Sequence, residues 1–356
     1  MTTSKNTITI SFDGVNFYIG IDVHKESWKV CIYNDKLFLK RFSMNPSAVE
    51  LIKYMKRNYP DGKYYSVYEA GFSGYSAHRT LNKMGITNIV VNPADVPTTN
   101  KEKDRKSDPI DCAKLARELK NGSLRGIFVP DVTYEAVRNF GRYRKQVWNR
   151  TKQIKNRIKS FIHFMGVSLP RDIPSQYWSR NFINWIKELS FENIINRQVL
   201  DNHLQDLEYN RKNELNFLRQ MRKMFKGTDV CTYLTSVPGI GLQSAFIIYS
   251  EILDITRFKN FDTFASYCGL VPSTKDSGDK NTTTGITQRC SKELRRILVQ
   301  AAWTAARRDP VMTFAYSTLT KRMSSQKAIV RIARKLLSRI RYVWWNKTTY
   351  DIGVIC

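Results

Sequence analysis

Residues 17–23 read FYIGIDV, and this stretch decides the fold of the N-terminal part of the chain. It is short, rich in aromatic and β-branched residues, and followed by a polar break, which is typical of a β-strand. Two runs of the same kind follow at 28–33 and 37–42, and Asn34-Asp35 between them suits a hairpin turn. The start of the chain therefore predicts three adjacent strands.

Helix and strand patterns alternate after these strands. Asn45-Pro46-Ser47 begins an amphipathic helix that ends near Arg57, and 63–68 has the pattern of another strand. A helix over 75–84, a short strand over 89–91 and a helix over 109–119 follow. Alternation of this kind after three adjacent strands predicts an α/β fold, with a mixed sheet covered by helices, for residues 1–130.

The pattern changes after Pro130. Residues 138–161 contain nine Lys or Arg and no Asp or Glu, with apolar residues at helical spacing, and a second helical stretch covers about 197–226. An aromatic-rich link joins the two. We expect a basic helical hairpin or coiled-coil arm over 131–228, of a kind that often dimerises. A solvated linker is the alternative, but an acid-free basic stretch of this length favours contact with phosphates.

The third region, 229–356, is predicted to be mostly α-helical. Residues 237–241 read VPGIG and precede an apolar helix over 242–253. Such a turn leaves backbone N–H groups free to bind phosphate, as in helix-hairpin-helix modules, which makes Gly239 and Gly241 candidate nucleic-acid contacts. A turn that enters a buried helix has the same pattern. Residues 311–350 again hold nine basic residues and no acidic one, which predicts a packed helix with a basic outer face.

The charge of the chain indicates a large anionic partner. Its 356 residues carry a formal net charge of +27 with an isoelectric point near 9.9, and such a charge strains a compact protein by self-repulsion. Nucleic acid is the commonest partner of this kind. No apolar run, signal peptide or lipidation motif points to a membrane. The six cysteines form no CxxC pair, so we expect reduced thiols in a cytoplasmic protein and no zinc site.

Four acidic residues are the candidates for chemistry. Asp22 and Glu69 each end a predicted strand, and Asp108 and Asp111 lie three apart at the start of a predicted helix, on one face. Carboxylates from two strand ends and one helix could hold two Mg²⁺ ions, because hard oxygen ligands suit that ion and a metal pair stabilises both oxygens of a phosphodiester exchange. Structural roles are the alternative: Asp108 could cap a helix that starts with Pro109, and Asp22 could simply end a strand. Asp104 is a weaker competitor for Asp108.

The ordered set of motifs resembles one protein family. IGIDVHK at 19–25, YEAG at 68–71 and KSDPIDCAKLA at 106–116 are similar to the three acidic motifs of insertion-sequence transposases with a RuvC-like DEDD domain. PGIG at 238–241, Arg257-Phe258, GLVP at 269–272, Ser277-Gly278 and Leu294-Arg295 resemble the C-terminal domain of the same family, to which Piv-type invertases are related. Pro109 and Cys112 depart from its usual pattern, and residues 1–16 extend beyond its usual start.

The resemblance implies a mechanism. It implies an RNase H/RuvC-like domain whose acids Asp22, Glu69, Asp108 and Asp111 bind Mg²⁺, and a serine that attacks DNA and forms a phosphoserine link. Ser277 is the matching serine, although Ser-Gly is by itself a common turn pair. Ser273 and Ser291 are weaker alternatives.

The resemblance also implies partners. These are donor and target DNA, a structured non-coding bridge RNA, and further copies of the chain as a dimer that pairs into a tetramer. Basic residues of the arm and tail would hold the nucleic-acid backbone without reading its sequence, and they are Arg142, Lys152, Arg157, Arg331 and Arg334. Two other functions remain open from the residues: a RuvC-like nuclease or Holliday-junction resolvase in which water attacks, and a non-catalytic nucleic-acid-binding protein.

Overall fold

A computed structural model describes residues 11–97, 108–173, 177–277 and 280–353. For 108–110, 274–277 and 280–284 it describes the backbone alone. The chain forms two compact units, which meet in sequence at Val129 and Pro130. Within the described ranges, no helix is both long and apolar enough to cross a membrane.

The first unit is built on a five-stranded mixed sheet. Its strands are β1 (Asn16–Val23), β2 (Trp28–Asn34), β3 (Phe38–Met44), β4 (Lys63–Glu69) and β5 (Thr87–Val91). They are arranged in the order β3-β2-β1-β4-β5, with β1 antiparallel to β2 and parallel to β4. The three expected adjacent strands and the mixed sheet are confirmed, and the strand ends differ from the prediction by one or two residues.

Helices cover both faces of this sheet. Helices α1 (Ala48–Asn58) and α2 (Ser76–Lys83) pack on the face that carries Phe17, Ile19 and Ile21 of β1. Helix α3 (Asp108–Lys120) packs on the opposite face, against β1, β2 and β4. Ser47 starts α1 as an N-cap, because its hydroxyl accepts the N–H of Glu50 at 3.2 Å. Both faces of β1 are thereby buried.

Helix α3 approaches β1 closely because residue 20 is glycine. A Cβ atom on Gly20 would lie 2.1 Å from the carbonyl oxygen of Cys112 and 2.5 Å from the backbone nitrogen of Ala116. Both atoms belong to the backbone of α3, so the helix would have to move to admit any side chain. The glycine therefore determines how close the first turns of α3 lie to the carboxyl end of β1.

The second unit begins with a pair of long helices. Helix α4 (Val132–Phe164) packs against α6 (Ile194–Phe225), and the short α5 (Arg180–Glu188) lies in the link between them. Phe140 near the start of α4 stacks on Phe217 near the end of α6, and Phe161 contacts His203, so the two helices are antiparallel. Their shared core is made of Ile154, Ile158 and Ile162 of α4 with leucines of α6 and the buried face of α5.

The rest of the second unit is a helical bundle with one hairpin. Its elements are α7 (Asp229–Ser236), α8 (Leu242–Ile252), α9 (Phe261–Cys268), β6 (Pro272–Ser277), β7 (Lys280–Ile286), α10 (Lys292–Arg308), α11 (Pro310–Thr320) and α12 (Ser325–Trp345). The apolar stripe expected in the basic tail is buried in α12. The β6–β7 hairpin was not predicted, because its polar, threonine-rich residues lack the apolar alternation of a half-buried strand.

The packing at Gly20 can be tested with one substitution. We expect Gly20→Val to lower the free energy of unfolding by about 1–3 kcal/mol or more, because overpacking forces backbone shifts. Chemical denaturation followed by circular dichroism measures it. The matched control is Gly71→Ala in the same unit, where a Cβ meets nothing within 4 Å. Equal stability of the two variants would show that α3 is not seated on residue 20.

Candidate functional site

Two of the predicted acids lie at adjacent strand ends. The parallel register pairs Ile21 of β1 with Tyr68 of β4, so the next residue of each strand is Asp22 or Glu69. Neighbouring strands lie about 4.8 Å apart. Because side chains alternate between the two faces of a strand, Asp22 points to the same face as Gly20, which is the face that α3 covers.

The other two acids belong to the first turn of α3. The helix begins at Asp108 and contains Asp111, while the side chain of Asp108 lies outside the described residues. The hydrogen bond from Cys31 lowers the pKa of the Cys112 thiol on α3, and the nearby carboxylate of Asp22 opposes that shift. The backbone of α3 at Cys112 and Ala116 lies against Gly20 of β1, so the first turns of α3 lie beside the end of β1.

Two cationic or ionisable partners of these acids were missed in the sequence analysis. Nε2 of His24 lies 3.1 Å from Oδ2 of Asp22, and Nζ of the buried Lys114 lies 3.7 Å from Oδ1 of Asp111. A signal was present for Lys114, since residues three apart on a helix are neighbours, whereas His24 follows the end of β1 and the strand pattern does not predict its contact. These contacts reduce the repulsion among the acids.

The chemistry of this corner suits a hard divalent cation. Carboxylate oxygens are the ligands that Mg²⁺ prefers, and three of the four predicted donors have described side chains at one corner of the sheet. Among the described side chains, no group of three or more His, Cys, Asp or Glu residues is close enough to hold a metal ion. A metal site built on Asp22, Glu69 and Asp111 thus needs a further ligand from Asp108, or a small movement of these side chains, to surround an ion.

The predicted backbone-binding cations differ in their surroundings. Lys152, Arg157 and Arg331 are exposed. Arg142 instead donates to both carboxylate oxygens of Glu251, at 2.9 and 3.1 Å. Arg334 donates to the carbonyl of Leu270 at 2.9 Å and also bonds a carboxylate of α9. Of the five predicted cations, Arg142 and Arg334 thus bind groups of their own unit.

The two glycines of the 237–241 turn also differ. Gly239 has φ +85°, and a Cβ there would lie 2.5 Å from the carbonyl oxygen of Ala301, so packing against α10 requires glycine. Gly241 has open space around it and caps α8 without a side-chain hydrogen bond. Arg308 lines the adjoining cavity of about 400 Å³. Gly239 has a packing role, and the surroundings of Gly241 suit an approaching phosphate.

The predicted serine belongs to the hairpin of the second unit. Ser277 is the last residue of β6 and pairs with Lys280 of β7, although Ser-Gly is by itself a common turn pair. Its side chain lies outside the described residues. Ser291 has a structural role, because its hydroxyl accepts the N–H of Leu294 as the N-cap of α10.

Comparison with protein families matches two segments of the chain. A family model for a DEDD transposase of the IS110 type matches residues 19–165, and the transposase family IS116/IS110/IS902 matches residues 231–317. The first match covers the sheet, α3 and α4, and the second covers the bundle from α7 to α11.

Named relatives are similar along most of the chain. The transposase for insertion sequence element IS1533 of Leptospira borgpetersenii is 25% identical, over 92% of this chain and 96% of its own. The transposase for IS1111A of Coxiella burnetii is 22% identical, over 94% and 91%. A Sinorhizobium fredii protein that carries a transposase name, y4qE, is 27% identical over 67% of this chain, and the match spans 58% of that relative.

The mixed sheet, with acids at adjacent strand ends beneath an acidic helix turn, defines a RuvC-like DEDD transposase domain. With the second match downstream, the chain belongs to the IS116/IS110/IS902 family of insertion-sequence transposases. The family resemblance and the fold class expected from the sequence are confirmed.

The pairing of Arg142 with Glu251 generates a prediction. We expect Arg142→Ala to destabilise the protein by about 1–3 kcal/mol, because a largely buried carboxylate loses its bidentate donor. The free energy of unfolding in urea measures the effect, and Arg150→Ala, on the exposed surface of the same helix, is the control. If the two variants are equally stable, the pair does not support the fold.

Proposed function

We propose that this chain cuts and rejoins DNA strands during transposition of its insertion sequence, with Asp22, Glu69, Asp108 and Asp111 holding two Mg²⁺ ions. The observation that carries the proposal is the adjacent placement of Asp22 and Glu69 on the sheet face beneath the first turn of α3. When bound, a pair of divalent ions offsets the charge on the attacking and leaving oxygens of a phosphodiester.

In this proposal, the backbone that carries these acids holds its position before DNA binds. Asp22 and Glu69 extend from strands that are hydrogen-bonded to neighbours on both sides, so their backbone has little freedom. Asp111 extends from a helix that is seated on Gly20. Such preorganisation lowers the cost of orienting ligands when the substrate arrives.

The nucleophile of the proposal is Ser277, on the strength of the family resemblance. Its Oγ forms a bond to the scissile phosphorus while the bond from phosphorus to the 3′ oxygen breaks. The hydroxyl proton leaves to solvent, and the departing 3′ oxygen takes up a proton. The phosphoserine ester keeps the energy of the broken bond, so a 3′ hydroxyl of another strand can attack it and restore a phosphodiester.

A structured bridge RNA and further copies of the chain complete the proposal. Base pairing of such an RNA with donor and target DNA would supply sequence specificity, and the protein would hold backbones. The exposed cations of α4 and α12, among them Lys152, Arg157 and Arg331, support this role. Dimers that pair into tetramers remain part of the proposal.

Two other functions differ from this one in a measurable way. A RuvC-like nuclease or resolvase shares the acids but uses water as nucleophile, so it forms no protein–DNA link. A non-catalytic nucleic-acid-binding protein cleaves nothing, and its acids serve the fold. The following two experiments separate the three.

The first experiment traps the covalent intermediate. We expect the full chain, with DNA carrying the ends of its element and the RNA transcribed beside the gene, to form a protein–DNA adduct that survives denaturing electrophoresis. Ser277→Ala should abolish the adduct, because the substitution removes the proposed attacking oxygen, and Ser273→Ala should retain it. Cleavage without an adduct would indicate water as nucleophile, and an adduct in Ser277→Ala would assign another residue.

The second experiment tests the metal site without relying on activity. We expect millimolar Mg²⁺ to raise the melting temperature of the wild-type protein, since a ligand at 100 times its Kd adds about 2.7 kcal/mol of stability. Asp22→Asn and Glu69→Gln should lose this Mg²⁺ response and strand cleavage while they retain DNA binding.

The control for the metal experiment is Asp13→Asn, an exposed carboxylate of the same unit, which should respond to Mg²⁺ as the wild-type protein does. A full Mg²⁺ response in both site variants would place the metal elsewhere. Loss of folding in Asp22→Asn without any metal would favour a structural role for that acid.

A further inference from the structure

A cavity in the second unit has no role in the function proposed above. It has a volume of about 510 Å³ and lies between α4, α8 and α10, within the range of about 300–1,000 Å³ that is usual for small-molecule sites. Its polar lining includes Arg142, Lys145 and Asn149 of α4, with Lys292 and Glu293 at the start of α10. The cavity is therefore large enough for one nucleotide and is lined by groups that bind phosphate or base edges.

The acids of this cavity are neutralised by the protein itself. Glu251 is paired with Arg142. Glu293 is bonded to Arg296 at 2.6 Å and lies 3.8 Å from Lys145. Burial opposes the ionisation of Glu293, but the hydrogen bond and charge of Arg296 outweigh it and lower the pKa of that carboxyl. Because each acid has a cationic partner, the exposed Lys292 adds positive charge that favours an anionic ligand.

An exposed tryptophan lies on α4 beside residues that line the cavity. Trp148 is 41% exposed and sits on α4 between Lys145 and Asn149, both of which line the cavity. Nζ of Lys152 lies 5.9 Å and Cζ of Arg296 5.7 Å from its ring centroid. An indole that is open to solvent and flanked by two cations can stack an unpaired base, and the cations can contact its phosphates.

Other tryptophans of the same unit lack this combination. Trp178 also lies near two lysines, but it is only 6% exposed and packs in the core of the helix pair. Trp345 is 44% exposed with Cζ of Arg341 4.8 Å from its ring, but it belongs to α12, from which no residue lines this cavity. Trp345 therefore resembles Trp148 in its exposure and in having a cation near its ring. It differs in that its helix contributes nothing to the cavity.

We propose that Trp148 and the adjoining cavity form a binding site for unpaired nucleotides of single-stranded nucleic acid, with a base stacked on Trp148 and a phosphate held near Lys145 and Lys292. This inference rests on the proposed function, because the site would bind unpaired nucleotides of the nucleic acid on which a transposase acts. Duplexes are poor ligands for it, because their bases are already stacked and paired.

The test is equilibrium binding of the full chain to labelled oligonucleotides by fluorescence anisotropy, in EDTA so that no cleavage occurs. The probes are a 20-nucleotide oligo-dT, a 20-nucleotide oligo-rU and a 20-base-pair DNA duplex. We expect Trp148→Ala to weaken single-strand binding about tenfold and duplex binding by less than twofold. Trp148→Phe should retain most of the affinity and Trp148→Leu should not, because only phenylalanine keeps an aromatic face.

Salt dependence separates stacking from charge in the same assay. Trp148→Ala should leave the slope of log K against log salt unchanged, since an indole neutralises no phosphate. The double variant Lys145→Gln with Lys292→Gln should reduce the slope by about 0.7 for each phosphate that is no longer neutralised. If Trp148→Ala weakens the binding of both oligo-dT and oligo-rU, the site recognises features that single-stranded DNA and RNA share. If it weakens the binding of only one of them, the site is supported and that nucleic acid is its ligand.

Trp345→Ala is the matched control and should bind as the wild-type protein does, with melting temperatures confirming that all variants fold. Unchanged single-strand affinity in Trp148→Ala, an equal loss on the duplex, or an equal loss in Trp345→Ala would each overturn the site. None of these results depends on Mg²⁺ or on adduct formation, so failure of this site and failure of the strand-exchange function are distinguished.

Discussion

The contact between the backbone of α3 and Gly20 of β1 is the constraint on which the carboxylate corner depends. With no side chain at residue 20, the helix reaches the sheet at the carbonyl oxygen of Cys112, one residue after Asp111. The acid of the same strand, Asp22, lies two residues further along. A single close approach thus brings an acid of the helix near an acid of the sheet, and the parallel register adds Glu69 from β4.

Bringing carboxylates together costs free energy unless cations balance them. The protein supplies part of that balance through the buried Lys114 beside Asp111, and the ring of His24 contacts the carboxylate of Asp22. The corner is rich in carboxylate oxygens, which are the ligands that a hard divalent cation such as Mg²⁺ prefers. In the proposed function, the acids that repel one another in the metal-free protein would serve as the ligands of Mg²⁺.

The large positive charge of the chain serves two purposes in the second unit. Some arginines act within the fold: Arg257 donates to the carbonyls of Ile252 and Glu251 at the end of α8, and Arg142 and Arg334 hold neighbouring helices. Others, such as Arg157 and Arg331, are exposed. The net charge therefore overstates the number of cations that are available for nucleic acid, and identifying the available ones requires their contacts.

The sequence by itself determined the alternation of strands and helices, the mixed sheet, the long basic helix pair and the four acids, because these depend on local periodicity and on residues that end elements. Only the tertiary structure decided that α3 packs on the face of Gly20, that Arg142 binds Glu251, that Ser277 ends a strand, and that the helix of Trp148 lines a cavity. Each of these is a contact between residues distant in the chain or a pairing of polar strands. Long-range contacts and the pairing of polar strands do not follow from the spacing of apolar residues, and that spacing is the clearest structural signal in a single sequence.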